Sequence, residues 1–184
     1  LLKGSECLNL GYQKQKLETY AASENKIAGF RLIKNGQQAY SYTENLSHEG
    51  LEKSYREAHS NLDLLSHVGA KAKDILLPRS QQNINKKLSV ENIDIETLKI
   101  KAKELETLVL AVDTRISVVP HSKLSESKSQ TRILNSNGLD TNFEQQYFSA
   151  YSYPLAKEGS VSKMSGFSMT FRNFSELDTN KISR

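Results

Sequence analysis

The dipeptide Asn35-Gly36 lies between two short runs that mix apolar and polar residues, 26–34 and 37–43, and it restricts the fold more than any other feature of the chain. A two-residue turn of type I′ needs positive φ at both central positions, and Asn followed by Gly adopts that conformation at the lowest cost. The flanking runs are therefore expected to pair as an antiparallel hairpin. Beyond Thr43 the apolar period lengthens. Leu51, Tyr55, Ala58, Leu62 and Leu65 recur at steps of four, three, four and three, the spacing of one helix face, and Ser47 is placed to cap its start. A hairpin feeding directly into a core-facing helix is the frame on which the rest must be hung.

Upstream, residues 5–22 alternate loosely through Cys7, Leu8, Leu10, Tyr12, Leu17 and Tyr20, which predicts two further strands joined by a turn. Downstream, residues 66–92 carry Gly69, Pro78 and a Gln/Asn/Lys tract with scattered apolar anchors, and read as a surface loop excursion. From Asp94, a capping residue, Ile95, Leu98, Ala102, Leu105 and Val109 mark a second helix. Strands are predicted at 115–119 and 130–135, closed by a turn at Asn135–Gly138. Two alternating runs follow, Phe143/Tyr147/Tyr151/Tyr153 and Phe167/Met169/Phe171, parted by Glu158-Gly159. Aromatic stripes of period two are expected to form one buried sheet face rather than a platform for stacking bases. The layout predicts an α+β fold, a mainly antiparallel sheet with two principal helices packed on it, in a single domain over 1–184.

Composition narrows the function classes. With 184 residues, 37% hydrophobic and 25% charged, the chain can bury a core of its own and lies far from the composition of disordered segments. The formal charge of +4 is spread among interleaved acids, with Lys86-Lys87 the densest basic step, whereas a nucleic-acid binder gathers its cations into a stripe. Cys7 is the single cysteine, so no internal disulfide can form and a reducing compartment is expected. No apolar run approaches the ~20 residues of a membrane helix. A cytoplasmic location is expected on these grounds. The chain begins at Leu1 without an initiator Met, which suggests part of a longer protein.

No catalytic, cofactor-binding or metal-binding residue can be assigned. His48-Glu49 invites a zinc-helix reading, but the positions one turn on are Glu52 and Lys53 rather than histidine, and His59 and His67 lie two turns apart. His121 has no acidic or thiol neighbour set by spacing. The serines show no Gly-x-Ser-x-Gly elbow, and there is no phosphate-cradling glycine loop.

The segments "GFRLIKNGQQAYSYTENLSHEGL", "KELETLVLAVDTRI", "TRILNSNGL" and "GFSMTFRNFSELD" resemble, in that order, the N-terminal part of the TldD/PmbA family, over residues 5–178. This family has been called modulators of DNA gyrase and is regarded as metallopeptidase-related, acting in proteolysis and peptide maturation. Glu106, Asp113-Thr-Arg115-Ile116 and Leu177-Asp178 make the resemblance closer to the PmbA (TldE) branch. The resemblance implies a non-catalytic N-terminal domain of a protein more than twice as long. Such a domain would pair with a TldD-like, zinc-bearing subunit or with itself as a dimer, and would wall a chamber for extended peptide. The zinc motif, His-Glu-x-x-x-His, belongs to the C-terminal half of the TldD-type subunit, so no cofactor is expected in this chain. The alternatives are a nucleic-acid or gyrase-associated binding module, and a structural domain without ligand.

The hairpin carries a direct test. Gly36→Val places a β-branched residue at positive φ and should destabilise the protein by about 1–2 kcal/mol in denaturant titrations. An unchanged midpoint would contradict the type I′ turn.

Overall fold

The computed structural model describes residues 1–66, 85–87 and 90–179. Eight strands and two helices follow in the order β1 (Leu2–Gln13), β2 (Lys16–Lys34), β3 (Gln37–Thr43), α1 (His48–Ser66), β4 (Asn85–Lys87), α2 (Ile95–Leu110), β5 (Ile116–Leu134), β6 (Asp140–Glu158), β7 (Val161–Met164) and β8 (Phe167–Phe171). The sheet order is β3-β2-β1-β5-β6-β4, with β7 and β8 also on β6. Pairing is antiparallel for β2 with β3 and for β7 and β8 with β6, while β4 runs parallel to β6. The fold is α+β, as the sequence predicts. Of the expected loop excursion, β4 is a strand, and 67–84 and 88–89 lie outside the described residues.

Two strand predictions are corrected by continuity. Residues 16–34 form one strand rather than two, and 116–134 form one strand rather than separate pieces at 115–119 and 130–135. The polar stretch inside β5 hid its periodicity. Val119 is buried, and beyond Pro120-His121 burial resumes at Ser122, Leu124 and Glu126. Burial therefore changes parity at Pro120-His121, which breaks the period-two signal that sequence reading relies on.

The chain divides into two compact units, Leu1–Ser5 with Glu24–Lys87 and Ser129–Glu144, and Glu6–Ser23 with Leu88–Lys128 and Gln145–Arg184. In the first, Asn35 (φ 54°) and Gly36 (φ 76°) form the positive-φ turn between β2 and β3. Helix α1 packs on β3 through small side chains. Ala39 and Ala58 are buried, and Ser41 Oγ reaches both the carbonyl and the hydroxyl of Ser54. The buried stripe of α1 is thus Ser54, Ala58 and Leu62, whereas Tyr55, expected inside, is exposed and meets Phe30 and His59 edge-on. Ser47 Oγ accepts from Gly50 N at 3.1 Å, the predicted cap. Gly50 itself admits no side chain, since a Cβ there would collide with the backbone carbonyl of Asn45.

The second unit holds the main core. Leu98, Ala102 and Leu105 of α2 bury against Leu10, Leu124, Phe148, Ala150 and Phe171, and the Phe148 and Phe171 rings stack with centroids 5.6 Å apart. Asp94 caps α2, its Oδ1 accepting from Thr97 N at 2.9 Å. Beside the apolar stripe lies Glu106, 1% exposed. Its carboxylate accepts from Lys14 N at 2.6 Å, Gln15 N at 2.9 Å and Gln15 Nε2 at 3.2 Å. Lys14 and Gln15 are the β1–β2 turn, with φ of 51° and 61° and no glycine to ease it. A second buried side chain, Gln146, acts as a strand bridge. Its amide exchanges hydrogen bonds with the backbone of Glu91 (2.6 and 3.0 Å) and donates to Glu126 Oε1 at 2.6 Å.

Leu105→Ala should cost about 2–5 kcal/mol by opening a cavity. Glu106→Gln, which keeps size but exchanges an acceptor oxygen for a donor beside two backbone N–H groups, should cost about 1–3 kcal/mol. Unchanged denaturant midpoints in either variant would contradict the core described here.

Candidate functional site

In the second unit the core side of the sheet is set by Leu10, Leu124 and Phe148, with Leu8 and Tyr12 packed against the same cluster. Alternation along the strands assigns Cys7 and Asn9 of β1, Ser125 and Ser127 of β5, and Tyr147, Tyr151 and Tyr153 of β6 to the other face. The polar members are joined to one another. Ser125 Oγ donates to Asn9 Oδ1 at 2.8 Å, Asn9 Nδ2 lies 3.4 Å from Cys7 Sγ, and Ser127 Oγ lies 3.5 Å from the same sulfur. Tyr147 and Tyr153 are 42% and 37% exposed, and the Tyr151 and Tyr153 rings are 6.0 Å apart.

This reverses the expectation for the aromatic stripe. The buried residues of β6 are Gln146, Phe148, Ala150 and Ser152, while Phe143, Tyr147 and Tyr153 are exposed. Counting aromatic rings pointed to the wrong face, because Gln146 and Ser152 occupy interior positions and the amide of Gln146 is satisfied there. On the paired strand, Phe171 is buried, as expected, but Phe167 is exposed. The open face offers hydroxyls, an amide, a thiol and phenolic rings over backbone already committed to the sheet. That is a set for contacting an extended chain by hydrogen bonds and ring surfaces.

The histidines do not converge. His48, His59 and His121 are exposed, and His67 lies outside the described residues. Glu52, one turn from His48, pairs with Arg56. Among the described residues no three His, Cys, Asp or Glu side chains are placed to hold a metal ion, so these residues do not fit a zinc site.

The residues on which the family resemblance rested occupy framework positions. Glu106 holds the β1–β2 turn. Arg115 grips Asp113 through Nε at 3.0 Å and Nη2 at 2.7 Å, and reaches Glu158 at 3.2 Å, while its carbonyl accepts from Lys157 N. Asn135 Oδ1 accepts from Asn137 N and Leu139 N in the turn that ends at Gly138 (φ 84°). Leu177 packs against the core.

Hydrogen bonds from Arg115 hold the Asp113 carboxyl down to about 2. A carboxylate whose folded value is depressed stabilises the native state above its ordinary value near 3.8, and that contribution disappears as pH falls toward 2. Asp113→Asn should therefore flatten the acid limb of the stability curve between those values and leave neutral-pH slopes alone. An unaltered acid limb would contradict the pairing.

A profile described as the PmbA/TldA metallopeptidase central domain matches residues 88–184, and one described as PmbA/TldA metallopeptidase domain 1 matches 8–62. No curated protein matches the chain. Among solved structures, a candidate modulator of a DNA gyrase from Thermotoga maritima superposes with a TM-score of 0.81 at 18% identity, covering 99% of this chain and 41% of that one. TldE from Thermococcus kodakarensis gives 0.79 at 17% identity, with coverage of 99% and 41%. A candidate modulator of DNA gyrase from Bacteroides thetaiotaomicron gives 0.79 at 16%, with 99% and 42%. This chain therefore spans about two fifths of each. Two consecutive profiles and a shared fold across its whole length agree: the chain belongs to the PmbA/TldD family.

Proposed function

We propose that this chain is the N-terminal, non-catalytic part of a PmbA/TldE-like subunit, working beside a TldD-like, metal-bearing subunit in the cytoplasm to admit and hold extended peptide for proteolysis or maturation. The observation that carries this reading is the open sheet face of the second unit. There Asn9, Ser125 and Ser127 share a face with Tyr147, Tyr151 and Tyr153 on neighbouring strands, on a fold like that of TldE. An extended peptide exposes backbone donors and acceptors along its length, and hydroxyl and amide side chains can meet them without reading sequence. Rings add sequence-tolerant contact area. This chain's residues orient and retain the substrate. The bond-breaking chemistry, and the metal it uses, are assigned to the partner.

The basic residues favour this reading over a polyanion partner. Lys26, Arg56, Lys99, Lys101, Arg115, Lys128 and Arg132 are each engaged by a carboxylate within 3.2 Å, an interleaving of charge that supports this reading over a stripe of cations that displaces counterions. No helix among the described residues is long and apolar enough to cross a membrane.

The test is reconstitution. The full-length protein mixed with its metal-bearing partner should cleave unfolded peptide in a chelator-sensitive manner, and the 184-residue chain alone should bind no stoichiometric zinc and cleave nothing. Tyr147→Ala combined with Tyr151→Ala in the reconstituted enzyme should raise KM about tenfold with kcat little changed, as expected for lost substrate contact. Cleavage by this chain alone, or a loss confined to kcat, would overturn the assignment.

A further inference from the structure

In the first unit the β2–β3 register sets Arg31 opposite Tyr40 and Gly29 opposite Tyr42. The alternate residues, Phe30 of β2 and Ala39 and Ser41 of β3, lie on the side that α1 covers. Tyr40 and Tyr42 therefore stand on the open side, 57% and 74% exposed. The Arg31 guanidinium lies over the Tyr40 ring, 5.9 Å from its centroid. Its Nε and Nη2 donate to Gln38 Oε1 at 3.0 and 2.7 Å, and the Tyr40 hydroxyl donates to the same oxygen at 2.7 Å. A shared acceptor and a ring beneath hold the guanidinium in one orientation. These bonds occupy the Nε side of the fork and leave its Nη1–Nη2 end open. Among the described residues no carboxylate pairs with Arg31. Beside it, Gly29 sets no side chain against Tyr42, and a Cβ there would meet nothing closer than Leu1 at 3.9 Å. An exposed phenol ring and Leu1 thus border a small apolar notch.

We propose that this cluster gives the chain a sequence preference in the extended peptide it holds: an acidic side chain on the open end of the Arg31 fork, and an apolar one two residues away in the Tyr42 notch. The preference rests on the peptide-holding reading and deepens it, at a cluster separate from the tyrosine-bearing face of β6. Same-side residues of an extended chain are about 7 Å apart, as Tyr40 and Tyr42 are along β3, so a peptide lying parallel to that strand brings both side chains to their sites together. A forked guanidinium matches the two oxygens of a carboxylate, and one already oriented gives up little freedom on binding. Having no carboxylate of its own, Arg31 keeps its charge for that contact.

Chemical-shift titration of the 184-residue chain tests this with three end-blocked peptides that differ only at their centres, Glu-Ser-Leu, Gln-Ser-Leu and Glu-Ser-Ser. The Arg31 Nε–H and the Tyr40 and Tyr42 rings should shift with the first, and the other two should bind about tenfold more weakly. Arg31→Lys, which keeps the charge and loses the fork, should weaken Glu-Ser-Leu about tenfold. Gly29→Val fills the notch without a clash and should cancel the advantage of Leu over Ser while keeping that of Glu over Gln. If Asn9, Ser125 and Tyr147 shift equally with all three peptides while the Arg31 cluster is silent, the preference is wrong and the peptide-holding reading stands. If the Arg31 cluster responds and that face does not, peptide is held here and the reading of the β6 face falls. Equal affinity for the Glu and Gln peptides, an Arg31→Lys variant that binds as the parent does, or tighter binding of oligothymidine than of Glu-Ser-Leu at this cluster would overturn the proposal.

Discussion

A single buried carboxylate sets the geometry of the second unit. The β1–β2 turn places Lys14 and Gln15 at positive φ, where residues bearing a Cβ are strained. Glu106 reaches from the C-terminal part of α2 to accept both of their backbone N–H groups. The contact joins the helix to the hairpin across some ninety residues of sequence, and it sits beside Leu105, at the centre of the apolar cluster. With the turn held, β1 is fixed in register, and the alternation that sends Leu10 inward sends Cys7 and Asn9 to the open face.

Much of the fold was legible because local signals agreed with one another. Asn35-Gly36, the Ser47 and Asp94 caps, the Leu98/Ala102/Leu105/Val109 stripe and the Asn135–Gly138 turn each combine a pattern with a turn or cap chemistry that admits few alternatives. The misjudged features have a common physical origin, which is polar residues doing interior work. Ser54, Glu106, Gln146 and Ser152 are buried, and a pattern that equates burial with hydrophobicity assigns their neighbours to the wrong face. That is why Tyr55 and the β6 tyrosines were expected inside. Continuity of β5 was hidden by buried Ser122 and Glu126, which carry no apolar signal, and by the change of burial parity at Pro120-His121.

The candidate surface was the least legible part. Its members are common residue types at unremarkable spacings, brought together only because β1, β5 and β6 are neighbours in the sheet, and no short motif encodes that adjacency. The family resemblance located the framework rather than the surface. Glu106, Asp113, Arg115, Asn135 and Leu177 hold turns, strand ends and core.

The central claim is that the chain contributes a surface for extended peptide and not chemistry. The most direct measurement is amide and side-chain NMR of the 184-residue chain titrated with an unstructured peptide of mixed sequence. The account predicts shifts concentrated at Asn9, Ser125, Ser127, Tyr147 and Tyr151, with α2 and the Leu105 cluster unmoved. Shifts confined to the helix-covered side, or a spectrum unchanged at millimolar peptide, would contradict it.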